Sequence, residues 1–142
     1  MLVKCIGSGN AFGAGGRFNT SFFIKTAANG ILLDCGVSTL IALSRANLST
    51  EDVDIILITH LHGDHFGGVA FFLSEIMSMR KRHKLLTIAG PEGIQERTLE
   101  SLRCFYPGVE LTNDPPVQFL TYRAGEDFLF ENIAVKAFPG VH

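Results

Sequence analysis

The chain has 142 residues, 46% hydrophobic and 18% charged, a composition that excludes disorder, collagen-like repeats and coiled coils. Twelve Lys and Arg against 14 Asp and Glu leave a net charge of −2, so no overall basic field marks a nucleic-acid binder, although a local basic patch stays open. No apolar run reaches the roughly 18 residues of a membrane span, and the opening MLVKCIGSGN is too short in apolar residues for a secretory signal. Three Cys without a Cys-x-x-Cys pair point to a reducing compartment, the cytoplasm, rather than to a disulfide scaffold.

In chain order, Leu2–Ile6 reads as a strand that ends at the glycine cluster Gly7 to Gly16. Ser21–Thr26 and Ile31–Asp34 flank Ala28-Asn29-Gly30 and predict a hairpin. Ser38–Ala46 predicts a short helix capped by Ser38 or Thr39. Val53–Thr59 is a short β-branched run, which predicts a strand buried on both faces. Gly67–Lys81 places Val69, Phe72, Leu73, Ile76 and Met77 on one helical face. Leu85–Ala89 reads as a strand, and Pro91–Phe105 as a helix with Pro near its first turn. Val117–Tyr122, Asp127–Phe130 and Ile133–Phe138 read as strands, with a tight turn at Asn132. The pattern is mixed α/β, with hairpins early and late and no linker that divides it.

The chemistry concentrates in Thr59-His60-Leu61-His62-Gly63-Asp64-His65. Four potential ligands, His60, His62, Asp64 and His65, follow directly on the buried strand. Neutral imidazole nitrogens with a carboxylate oxygen suit zinc and related transition ions. In extended chain His60 and His62 project to one side and can share an ion. Asp64 and His65 follow where the chain turns, before Gly67-Gly68 opens a helix, and can serve a second ion beside the first. Two metals roughly 3.5–4 Å apart share a hydroxide and clamp a displacement reaction.

His-x-His-x-Asp-His after a hydrophobic strand, with Asp34 in Leu32-Leu33-Asp34-Cys35-Gly36 ahead of it, resembles the metallo-β-lactamase superfamily. Ile6–Ala11 with Arg17, Asn19 and Thr20, then Thr59–Gly68, Leu86–Gly93 and Val135–His142, resemble the phosphodiesterase and tRNA 3′-end nuclease (RNase Z) branch along essentially the whole chain. The resemblance implies an αββα sandwich of two β-sheet/helix halves with metals at one edge, of which this sequence matches the N-terminal half. It implies His60, His62 and His142 on a first zinc, Asp64 and His65 on a second, and Asp34 orienting a ligand or its loop. It also implies Asp64 as the group that handles the proton of the attacking hydroxide. Zn2+ is the expected cofactor, two per complete site, with Mn2+ or Fe2+ as substitutes.

The expected reaction is hydrolysis of a phosphodiester, in RNA or a small molecule. Ester, thioester or lactone hydrolysis on the same scaffold is an alternative, and so is a metal-binding half-domain without catalysis of its own. The family's bridging Asp and last His find no counterpart before the chain stops at His142. The expectation is therefore a domain over 1–142 cut before its second half, with at most one firmly bound zinc and little activity alone. An uncovered apolar sheet face then predicts a homo-oligomer, at least a dimer.

Weaker signals lie around this motif. The Gly7–Gly16 stretch either brings backbone N–H groups near a phosphate, Gly9 among them, or is a plain tight loop. Arg17, within it, is the better candidate for contacting an anionic substrate. Arg80–Lys84, with His83, reads as a solvated helix end, a phosphate contact being the other possibility. Cys5, Cys35 and Cys104 read as buried thiols, with Cys35 as a metal ligand the lesser reading. The twelve Phe read mostly as core, with Phe12, Phe18 and Phe66 flanking the site loops.

Overall fold

The computed structural model describes residues 1–79, 82–130 and 133–140. Strands β1 (Leu2–Gly7), β2 (Ser21–Lys25) and β3 (Gly30–Leu33) form an antiparallel meander. The β2–β3 turn closes where expected: the Asn29 amide donates to Thr26 Oγ1 at 2.8 Å and the Thr26 amide to the Asn29 carbonyl at 2.9 Å. The chain then alternates through α1 (Thr39–Arg45), β4 (Ile55–Leu57), α2 (Gly63–Phe66), α3 (Val69–Met79), β5 (Leu86–Gly90), α4 (Ile94–Phe105) and β6 (Val117–Thr121). β3, β4, β5 and β6 pair in parallel, and β4, β5 and β6 are each reached by a helical crossover as parallel pairing requires. The strand order of the six-stranded sheet is the order of the chain. β7 (Asp127–Phe130) and β8 (Ile133–Lys136) form a separate antiparallel pair. The expected turn at Asn132 lies outside the described residues.

Register sorts the side chains onto two faces. Phe23, Leu32, Ile56 and Ile88 pair in one row across β2 to β5, and all four are buried in a cluster with Ala42 and Leu43 of α1, Phe72, Leu73 and Ile76 of α3, and Ile94 and Leu102 of α4. Each fully buried Leu, Ile or Phe contributes roughly 1.5–3 kcal/mol, so this row fixes the helices to one face. The neighbouring row, Phe22, Leu33, Leu57, Ala89 and Leu120, is half-buried except at Ala89. Val135 and Phe138 from the β8 segment join Leu33, Leu57 and Tyr122 around a cavity of about 210 Å3 at one end of this second face. The fold is a mixed α/β unit, one sheet with its helices packed on one face.

Several local expectations are corrected. Ser38 occupies the N-cap of α1 but makes no capping bond. Its hydroxyl instead donates to Asn19 Oδ1 and accepts from the Asn19 amide, both at 2.8 Å. A tertiary partner has displaced the local one, and it ties the glycine loop to α1. Helical structure begins before Gly67-Gly68, because Gly63–Phe66 is already a turn of helix whose His65 and Phe66 amides return to the His62 carbonyl. α4 starts at Ile94 rather than Pro91, after Gly93 adopts the left-handed φ of +88°.

The basic run is not a solvated helix end where it is described: Arg82 is buried, its guanidinium donating to the carbonyls of Thr50 at 3.0 Å and Leu85 at 3.2 Å. Burial pulls the Arg82 guanidinium below its ordinary pKa, with Glu51 and Asp54 opposing. Lys84 pairs with Asp54 at 2.5 Å and His83 is exposed, so neither guanidinium nor ammonium is held out for a phosphate; Arg80 and Lys81 lie outside the described residues. Of the twelve Phe, only Phe23, Phe66 and Phe72 are buried. Phe66 is core rather than pocket lining, Phe18 lies 5.3 Å beneath the Arg45 guanidinium, and Phe12 is exposed at the glycine loop.

The thiols divide in the same way. Cys5, on the edge strand, and Cys104 are exposed, and Cys35 is buried. Burial, reinforced by the charge of Asp34 and opposed by a hydrogen bond with Thr39, pushes the Cys35 thiol up to about 12. We expect Cys5 and Cys104 to react with a thiol reagent in the native protein and Cys35 only on unfolding. Time-resolved labelling with and without denaturant checks this, and fast native modification of Cys35 would show that its burial is wrong.

Candidate metal-binding site

The site forms where β3 and β4 end side by side. Parallel register sets Leu33 against Leu57, and the next residue of β3's chain, Asp34, turns with φ +61° while its amide still donates to the Leu57 carbonyl at 2.8 Å. Asp and Asn are the residues beyond Gly that visit this region readily. Ser21 Oγ secures the Asp34 carbonyl at 2.8 Å. The following residues lace onto the ligand segment: the Cys35 amide donates to the His65 carbonyl at 2.7 Å, and the Gly68 amide to the Cys35 carbonyl at 2.8 Å.

The Asp34 carboxylate, buried, is the hub. Its Oδ1 accepts the Thr59 amide at 2.8 Å, Thr59 Oγ1 lies 3.0 Å from both carboxylate oxygens, and His65 Nδ1 lies 2.7 Å from Oδ2. Thr59 Oγ1 also lies 3.0 Å from His60 Nδ1. From the other side, Tyr122 at the end of β6 donates its hydroxyl to the Ile58 carbonyl. Burial first, and the Asp34 charge second, push that phenol up to about 12, so it stays a donor across the working range of pH.

His60 and His62 project together, as alternation in extended chain predicts, with ring centroids 4.8 Å apart and planes at 74°. The His60 ring is also 4.2 Å from that of His65. Asp64 Oδ2 lies 3.3 Å from His65 Nε2. Among the described residues no three His, Cys, Asp or Glu side chains close around one point as a metal cage, and His142, the remaining expected ligand, lies outside them. The donor chemistry nonetheless fits a cation. With its proton on Nδ1 toward Asp34, neutral His65 presents a lone pair to the Asp64 carboxylate, and two acceptors facing each other at that distance repel. A cation, or a second proton on His65, removes the conflict.

The remaining candidates sit apart. Gly9 is buried with its amide given to the Phe18 carbonyl at 2.6 Å, so that N–H is not presented to an anion. Arg17 is exposed, with Nε bound to the Ala14 carbonyl at 3.2 Å. Two surface depressions, of about 600 and 510 Å3, lie along α3, α4 and the loop after α4, and no histidine lines either. The sequence marks Asn19 and Thr59 only as members of motifs, Ser38 only as a helix cap and Tyr122 only as a strand end, and gives none of them a part in building the site.

A family profile described as Anti-Pycsar protein Apyc1 matches residues 1–142. The chain is 34% identical over 151 aligned positions to the Anti-Pycsar protein Apyc1 of Bacillus phage BSP38, covering 99% of this chain and 58% of that protein. It is 31% identical over 139 residues to ribonuclease Z of Ignicoccus hospitalis, covering 96% of this chain and 44% of that one. The crystal structure of the short form of human tRNase Z superposes with a TM-score of 0.64 at 27% identity, covering 75% of this chain and 40% of that one. The chain thus spans roughly half the length of these curated relatives. Among the described residues, no helix is long and apolar enough to cross a membrane.

Proposed function

The chain belongs to the family described as Anti-Pycsar protein Apyc1, a metallo-β-lactamase-fold group with ribonuclease Z relatives, and from that membership we propose that it is a metal-dependent phosphodiester hydrolase. The observation that carries the proposal is the grouping of His60, His62 and His65 with Asp64, backed by the Asp34 carboxylate. His60, His62, Asp64 and His65 would hold the metal, together with His142. Zinc suits imidazole and carboxylate donors, and manganese or iron are the substitutes. When bound, such an ion lowers the pKa of water and polarises a phosphoryl oxygen.

The chain's own groups supply the rest. Asp34 fixes His65 through Nδ1, so that Nε2 is the nitrogen turned toward Asp64. Asp64 would accept the proton of the attacking water at its carboxylate as well as serving as ligand. Arg17 gives one of a guanidinium's five N–H donors to Ala14 among the described residues, and its further donors would serve a substrate anion. The Cys35 thiol, protonated and buried, contributes packing rather than ligation.

The test is a substrate panel on the zinc- or manganese-loaded protein: bis(p-nitrophenyl) phosphate, a cyclic mononucleotide, a 3′-extended tRNA and a thioester. Expected is phosphodiester turnover that a chelator abolishes and His62→Ala lowers by at least about a hundredfold. Metal binding without any phosphodiester turnover, or thioester turnover well above it, would sink the proposal. Preference between the cyclic nucleotide and the tRNA separates a small phosphodiester from RNA as the substrate.

A further inference from the structure

Asp34 reaches two imidazoles, one directly and one through a single hydroxyl. We propose that Thr59 is a positioning residue that sets the tautomer of His60, so that His60 offers Nε2 as its ligating nitrogen. The inference rests on the metal-site reading above and concerns a residue to which that reading gives no role.

The logic is one of counting protons. Thr59 Oγ1 has one proton and lies 3.0 Å from three polar atoms, Asp34 Oδ1, Asp34 Oδ2 and His60 Nδ1. An ionised carboxylate only accepts, and this one already takes the Thr59 amide at 2.8 Å and faces His65 Nδ1 at 2.7 Å. The hydroxyl proton is therefore directed to Asp34. What Thr59 has left for His60 is a lone pair, which is satisfied only by Nδ1–H. In a neutral imidazole the proton on one nitrogen leaves the other as the acceptor and ligand. Thr59 thus transmits the acceptor character of Asp34 across one side chain. Outer partners that choose which nitrogen faces a metal commonly change its affinity by about tenfold to a hundredfold.

The geometry agrees with the count. Thr59 is held on both its polar groups, amide and hydroxyl, by the same carboxylate, so its Oγ1 cannot rotate away without giving up Asp34. The adjacent residue in the chain is His60 itself, which places donor and acceptor by covalent connection rather than by a remote contact.

The test uses the 15N-labelled metal-free protein and long-range 1H–15N correlation spectra of the imidazoles at alkaline pH. Expected is a His60 with protonated Nδ1 and unprotonated Nε2. Thr59→Val keeps the β-branch and deletes the hydroxyl. It should move the His60 proton toward Nε2 and weaken zinc affinity, measured by chelator competition, by about tenfold to a hundredfold. Thr59→Ser should restore both readouts. A structural role alone would lower thermal stability in Thr59→Val and leave the tautomer as it was. A wild-type His60 protonated on Nε2, or a Thr59→Val protein with unchanged tautomer and affinity, overturns the proposal. If the wild type takes up no zinc, the metal reading fails, while the spectra still decide what Thr59 does to His60.

Discussion

Asp34→Asn is expected to weaken metal affinity by about tenfold to a hundredfold while leaving the fold standing. Asparagine accepts the left-handed φ of +61° at this position, and its amide oxygen can still receive the Thr59 amide now bound by Oδ1 at 2.8 Å. The change falls on the other oxygen. An NH2 group in place of Oδ2 would face His65 Nδ1, now at 2.7 Å, and would demand an unprotonated nitrogen there. The His65 proton would move to Nε2, 3.3 Å from Asp64 Oδ2. That arrangement makes a satisfied His–Asp hydrogen bond in the position where a cation would otherwise be needed. One substitution thus converts two facing acceptors into a donor and an acceptor. Chelator competition measures the affinity, and urea unfolding should show a stability change of no more than about 1–3 kcal/mol. Asp34→Ala gives the contrast, since it also leaves the Thr59 amide without its acceptor and puts alanine at a strained φ. Zinc held by Asp34→Asn as tightly as by the parent would remove Asp34 from the site.

Gly68→Ala is expected to destabilise the fold by roughly 3 kcal/mol, at or above the upper end of ordinary overpacking. A Cβ there would lie 2.0 Å from the Gly36 carbonyl oxygen and 2.9 Å from that of Cys35, and both are backbone atoms with no rotamer to retreat into. Gly36 meets the ligand turn in the same way, with its Cβ position 2.1 Å from the Asp64 carbonyl oxygen. The two segments cross in contact because each brings a glycine to the crossing, and Asp64 and His65 are carried on one of them. The loss should therefore appear in stability and in metal affinity together. Gly63→Ala is the control, since a Cβ there meets nothing within 4 Å. Equal thermal midpoints for Gly68→Ala and Gly63→Ala would mean that the crossing is looser than described.

The parts legible in the sequence were those governed by local periodicity. The short, β-branched run Val53–Thr59 marked β4, and two-residue alternation placed the His60 and His62 rings together. What stayed hidden depended on partners far along the chain. Thr59 finds Asp34 across 25 residues because β3 and β4 share a register that no local pattern states. Ser38 has the chemistry of a helix cap, but Asn19, 19 residues earlier, offers it a better-connected bond. Arg82 sits in a run that reads as solvent-facing, and the carbonyls of Thr50 and Leu85, with the Asp54 carboxylate 3.9 Å away, hold it inside. Cys5 falls within a mostly apolar segment of sequence yet lies on an edge strand, where pairing on one side leaves the other uncovered.

The coincidence of strand order with chain order has a consequence for how the molecule is made. Every strand from β2 to β6 pairs with the strand that precedes it in the chain, so each finds its edge partner among its nearest neighbours in sequence. None has to be inserted between two strands already joined. The meander of β1, β2 and β3 can close through short-range pairing, and each later strand is delivered with its own helix to cover the face it extends. Asp34 precedes Thr59 and His65 in the chain, so the carboxylate that both side chains meet is synthesised before they are.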